Sequence, residues 1–96
     1  MGYLFPSTTD SKIHHQMKQL IYFYGTFCNP CKSFRPTIGA ISREYPVRYV
    51  DVDQEPQLVS EHGIRSVPTI VVVENGRPVG KQSGVLTEGQ LCDMLN

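Results

Sequence analysis

A chain of 96 residues, 40% hydrophobic and 19% charged, has the size and balance of one soluble globular domain spanning residues 1–96, with a core that is real but small. Nine basic and nine acidic residues cancel to a formal net charge of zero without forming a basic stripe, so charge gives no footing for a nucleic-acid partner. No apolar run approaches the roughly 20 residues that cross a bilayer, and the three cysteines, an odd number, do not make a secreted disulfide framework.

The first residues, Met1-Gly2-Tyr3-Leu4-Phe5-Pro6, lack the charged and long apolar regions of a signal peptide, and Pro6 stands where a myristoylation signal wants Ser or Thr. A cytoplasmic, reducing location is the default expectation. Tyr3 to Phe5 can form a short strand. Ser7-Thr8-Thr9-Asp10 offers N-cap residues for an amphipathic helix whose apolar stripe is Ile13, Met17 and Leu20. Gln19 to Tyr24 is β-rich and unbroken by polar alternation, which predicts a strand buried on both faces. Then comes Cys28-Asn29-Pro30-Cys31 at the start of a helix that carries Phe34, Ile38 and Ile41 and ends before Pro46. Pro30 suits the first turn, where its missing N–H costs nothing, and Pro36 is placed to kink the helix.

Val47 to Asp53 predicts the next strand, and Gln54-Glu55-Pro56 opens a short helix ending at Gly63. Thr69 to Val73 predicts a strand, Asn75-Gly76 a hairpin turn, and Val79 to Gln82 the partner strand. Thr87-Glu88-Gly89-Gln90 caps a last helix that turns Leu91, Met94 and Leu95 inward. A helical crossover between strands followed by a hairpin makes a mixed α/β sheet of four or five strands with helices on both faces.

Two cysteines three positions apart, at the junction of a strand and a helix N-terminus, are a redox-active arrangement. Unpaired N–H groups and the helix dipole stabilise a thiolate there, and the second cysteine lies one turn on. The competing reading is half of a zinc site, but structural zinc takes four ligands and only His14 and His15 lie near in sequence, on opposite sides of one helix. Those two and His62 read as solvated helix residues. Asp51 and Asp53 read as strand-end residues without chemistry, Arg65 as a surface residue, Tyr22, Phe23 and Tyr24 as core, and Cys92 as a half-buried small hydrophobe.

This order of elements resembles the thioredoxin family over essentially the whole chain. The matching segments are Tyr22 to Lys32, Pro36, Asp51 to Pro56, Gly63 to Thr69, Glu74-Asn75-Gly76, Gly84 and Thr87 to Leu91. The resemblance implies a thioredoxin fold and a thiol–disulfide oxidoreductase that reduces protein disulfides without a bound cofactor or metal. Cys28 would be the exposed nucleophile and Cys31, more buried, the resolving thiol. Phe27, Asn29, Pro30 and Lys32 would form the active-site loop, and Val67, a cis Pro68 and Gly84 the substrate groove. Partners would be protein disulfides on one side and, on the other, a flavoprotein of the thioredoxin-reductase type or a small thiol; the chain would be a monomer away from membranes. Phe27 and Asn29 replace the family's usual Trp and Gly. Tyr22 and Tyr49 replace a buried acid and its neighbouring lysine, a pair that is costly to lose singly. A phenol titrating near 10 is a poor base at neutral pH, so slower release of the mixed disulfide, or a water in the proton relay, is expected. Two rival readings stand beside this one: a glutathione-fed glutaredoxin-like reductase, and a non-catalytic module that binds partners in the groove.

Overall fold

The computed structural model describes residues 18–96. In chain order it has β1 (Lys18–Tyr24), α1 (Asn29–Ile41), β2 (Val47–Asp51), α2 (Pro56–Glu61), β3 (Thr69–Glu74), β4 (Arg77–Ser83) and α3 (Glu88–Leu95). The strands form one sheet in the order β2-β1-β3-β4. β2 runs parallel to β1 with Tyr22 opposite Tyr49, after a crossover through α1. β3 is antiparallel to β1, and β4 returns antiparallel to β3.

β1 is central, and its alternation divides the core in two. Leu20 and Tyr22 face α1 and α3, where they pack with Phe34, Ile38, Ile41, Ile70, Val72, Leu91 and Leu95. Ile21 and Phe23 face the other way, onto Val50, Val71 and Val73, and are covered by Val52, Leu58, Val59 and Ile64 from and around α2. A strand buried on both faces reads as a continuous apolar run because both sets of side chains leave water. Phe34, Ile38 and Ile41 fall on one stripe of α1 and are at most 3% exposed. Burying each stabilises the fold by about 1.5–3 kcal/mol, enough to fix α1 over β1. The helix runs on through Pro36, whose ring stays exposed.

The mixed sheet with helices on both faces is as expected, with four strands among the described residues. The predicted Tyr3–Phe5 strand and most of the first predicted helix lie outside the described residues. Leu20, the last member of that helix's stripe, belongs to β1 instead. β2 ends at Asp51, not Asp53, because Asp51 turns the chain. Its Oδ1 accepts the Asp53 N–H at 2.9 Å, and its carbonyl accepts from Gln54 and Glu55. Asn75 and Gly76 have φ of 54° and 81°, the left-handed pair that a two-residue hairpin needs. α3 starts with a full capping box between Thr87 and Gln90. No helix among the described residues is long and apolar enough to cross a membrane.

Candidate active site

β1 ends at Tyr24, and the backbone turns sharply through Gly25, Thr26 and Phe27, with the Cys28 N–H returning to the Gly25 carbonyl at 3.2 Å. The Phe27 ring lies against Gly25, where a Cβ would stand 2.8 Å from Cε1. Gly25 is therefore what lets the aromatic ring fold back on the turn while remaining 69% exposed at the surface.

Cys28 is the N-cap of α1, in extended conformation, and its Sγ accepts the Cys31 backbone N–H at 3.1 Å. One of the donors that every helix N-terminus leaves unpaired is thus spent on sulfur. The same N–H would stabilise a thiolate at that atom once the pair is reduced. Cys28 and Cys31 are joined as a disulfide, with Cα atoms 5.3 Å apart. Burial does not separate the two as strongly as the sequence predicts. In the disulfide Cys28 is 6% exposed and Cys31 4%, since each sulfur covers the other and Cys28 is also capped. Asn29, Pro30 and Lys32 are exposed on the first turn of α1.

The segment before β3 forms the opposite wall. The Val67–Pro68 bond is cis. Buried Thr69 donates its hydroxyl to the Ser66 carbonyl at 2.8 Å and meets Ser83 Oγ at 3.2 Å, which ties the loop to the end of β4. Gly84, at φ 91°, donates its N–H to the Pro68 carbonyl at 2.8 Å. Phe27 and Val67 line one groove of about 300 Å³ together with Val52, Val59, Ile64, Arg65 and Ser66. Of these, Val52, Val59, Ile64 and Ser66 were not among the residues picked out from sequence. Val52 follows Asp51, Val59 lies in α2, and Ile64 and Ser66 precede Val67, and only the fold of α2 over the sheet gathers them.

Beneath the disulfide lies a cluster of tyrosines. Tyr22 is buried, and its hydroxyl donates to the Cys31 carbonyl at 3.0 Å. Burial pushes the Tyr22 hydroxyl above its ordinary value of 10.0; the Arg35 charge opposes that rise, and Tyr49 and Tyr24 add to it. The Tyr22 ring stacks on Tyr24 at 5.6 Å and meets Phe34 and Tyr49 edge-on at 5.7 and 5.8 Å. Tyr49, predicted buried, is instead 36% exposed. It stands on β2, at one edge of the described strands, with the Arg35 guanidinium 5.6 Å from its ring centre. Arg35 covers Tyr24 as well. Neither Arg35 nor Tyr24 was marked as a site residue from sequence, although Arg35 falls four residues after Cys31 and Tyr24 two after Tyr22, the same-face spacings of helix and strand.

The remaining sequence candidates have structural places. Asp51 and Asp53 share the turn after β2. Arg65 is exposed at the groove edge. Cys92 is half-buried against the α1–α3 core. His62 differs from its predicted solvated state: it ends α2 with its ring 5.6 Å from that of Phe23. His14 and His15 lie outside the described residues.

Comparison with known proteins agrees with this geometry. The Thioredoxin family model matches residues 3–96. A thioredoxin of Rickettsia felis is 32% identical over 99 aligned positions, covering 94% of each chain. One of Staphylococcus aureus is 31% identical over 91 positions, 91% of this chain and 86% of its own. Among solved structures, a thioredoxin variant from Halobacterium salinarum NRC-1 superposes with TM-score 0.79 at 29% identity, over 91% of this chain and 79% of that one. The germline-specific thioredoxin Deadhead of Drosophila melanogaster gives 0.76 at 26%, over 92% and 87%.

Proposed function

This chain belongs to the thioredoxin family and is a dithiol–disulfide oxidoreductase with the thioredoxin fold, and we propose that Cys28 and Cys31 carry that activity as nucleophile and resolving thiol in the reduction of protein disulfides. The family implies protein disulfides as substrates and a reductase as electron donor. The observation that carries the assignment of roles is the cap: Cys28 Sγ is the atom that receives the helix N–H, so the thiolate is favoured there.

The reaction then runs in two exchanges. Cys28 thiolate attacks one sulfur of the substrate disulfide; a mixed disulfide forms, and the other substrate sulfur leaves with the electron pair and takes a proton. Cys31 next gives up its proton to solvent, and its sulfur attacks Cys28 Sγ. The Cys28–Cys31 bond closes, and the second substrate thiolate departs. The substrate gains two electrons and the cysteine pair loses them. Tyr22 holds the Cys31 carbonyl but is neutral at ordinary pH, so it is no proton acceptor for this step. The groove lined by Phe27 and Val67, with Val52, Val59 and Ile64, presents apolar surface on which an extended substrate segment lies as an added strand.

In this reading residues 1–96 work as one monomeric domain in the cytoplasm, re-reduced by a flavoprotein of the thioredoxin-reductase type or by a small thiol. The test is the C31S variant, incubated with a disulfide-bonded protein and run on non-reducing gels. It should accumulate a mixed disulfide that the additional C28S change abolishes. A variant that binds the same proteins with no covalent adduct would instead indicate a non-catalytic binding module. Faster re-reduction by glutathione than by a flavoprotein reductase would indicate the glutaredoxin-like reading.

A further inference from the structure

Arg35 is a cation whose contacts are aromatic faces. Its guanidinium carbon lies 5.8 Å from the Tyr24 ring centre and 5.6 Å from that of Tyr49. It forms no ion pair with a carboxylate among the described residues, where the Arg48–Glu55 pair sits elsewhere, between β2 and the residue before α2. No carboxylate among the described residues therefore neutralises its charge. It stands four residues after Cys31 in α1, on the same face of the helix and one turn away. The two rings that it covers are the two that clasp Tyr22, and Tyr22 in turn holds the Cys31 carbonyl. Cys31 is thus tied to the sheet twice through one aromatic cluster, once by a phenol at its own carbonyl and once by the guanidinium a turn later.

We infer that Arg35 is a positioning residue for the resolving cysteine: docked on Tyr24 and Tyr49, it holds the first turns of α1 against β1 and β2 and sets a positive charge one helical turn from Cys31, making the reduced pair easier to hold. The inference rests on the reading of Cys28 and Cys31 as the redox pair. When that pair takes two electrons and two protons, the disulfide bond breaks and each sulfur becomes thiol or thiolate. A nearby cation favours the thiolate fraction and so the reduced state. Planar, weakly hydrated guanidinium suits this place better than ammonium, since it can lie flat on two rings without giving up its charge.

The measurement is the equilibrium of each variant with dithiothreitol at about pH 8.5, where an ordinary thiol is half ionised, read by the fraction of free thiol. Removing an exposed charge at one-turn distance should move the equilibrium of R35M and of R35Q about threefold toward the disulfide, the size of a typical exposed charge interaction. For a two-electron couple that is a shift of about 14 mV toward a stronger reductant. R35K should stay near the parent, and added salt should shrink the gap between parent and R35M. If R35M and R35Q equilibrate as the parent does, or if R35K moves as far as they do, the charge of Arg35 has no part in the couple and the inference fails. A parent protein that does not equilibrate with dithiothreitol through Cys28 and Cys31 would instead defeat the redox reading beneath it. Arg35 is exposed, so its neutral variants keep the core that folds the chain.

Discussion

Tyr22→Phe removes one oxygen from the base of the active site and keeps the ring. The hydroxyl is buried and donates to the Cys31 carbonyl at 3.0 Å, while the ring packs on Tyr24, Phe34 and Tyr49. The ring contacts survive in the variant, and a helical carbonyl keeps its partner one turn on. The loss is then one neutral hydrogen bond, about 1 kcal/mol, or a fall in Tm of about 4–8 °C for a domain of this size. The substitution also carries a pH signature. The folded-state pKa of Tyr22 is raised above 10.0, burial being the largest cause. Below pH 10 the phenol is neutral in both states, and its contribution does not change with pH. Above it, the unfolded phenol gives up its proton while the folded one resists, so the folded state binds more protons and stability falls as pH rises. Urea denaturation of the oxidised protein, followed at about pH 8 and about pH 11, separates the two effects. The parent should lose more stability over that interval than Tyr22→Phe does. Tyr45, whose hydroxyl is also raised by burial, leaves the variant some alkaline loss of its own. An unchanged midpoint at pH 8 would refute the hydrogen-bond argument, and parallel losses at alkaline pH would refute the burial argument.

Two further predictions concern the frame around the site. Gly84 holds φ at 91° while its N–H reaches the Pro68 carbonyl, so Gly84→Ala should cost about 1–2 kcal/mol in denaturant stability even though no atom crowds a new Cβ; an unaffected midpoint would mean that the turn relaxes. Thr87→Ala removes the hydroxyl that caps Gln90 and should cost about 1 kcal/mol, with faster amide exchange confined to the first turn of α3 if the capping box is what starts that helix.

Much of this architecture was legible in the chain because its local signals agree with one another. The run Leu20 to Phe23 reads as a strand with two buried faces, even though Leu20 also completes the stripe of the helix predicted before it, Asn75-Gly76 reads as a tight hairpin, and Thr87 with Gln90 announces a helix start. Cys28 and Cys31 were readable for the same reason: spacing and position at a helix start are local facts. The end of β2 was not, since Asp51-Val52-Asp53 keeps strand-like alternation and only the Asp51 carboxylate, turned back on the Asp53 N–H, breaks it. The exposure of Tyr49 was also hidden. The resemblance places it beside Tyr22, as the strand register does, but whether α1 reaches that far over the sheet depends on how the helix lies, and that is a tertiary property. The groove residues Val52, Val59 and Ile64 come from three separate places and meet only when α2 closes over β1 and β3.

The tyrosine cluster shows what replaces charge at the base of this site. A buried acid would need a partner cation to offset its desolvation, and removing either member would leave the other stranded. With Tyr22 the buried polar atom is neutral and satisfied by one carbonyl, and the cation, Arg35, lies outside on the ring faces where water still reaches it. Among the described residues there is therefore no buried ion pair here, and their contribution to stability at the site does not change through the acid range in which a carboxylate would titrate. The same exchange removes a base from beneath Cys31. In the proposed mechanism the Cys31 proton then passes to solvent, and the second exchange, rather than the first attack by Cys28, is the step expected to be slow.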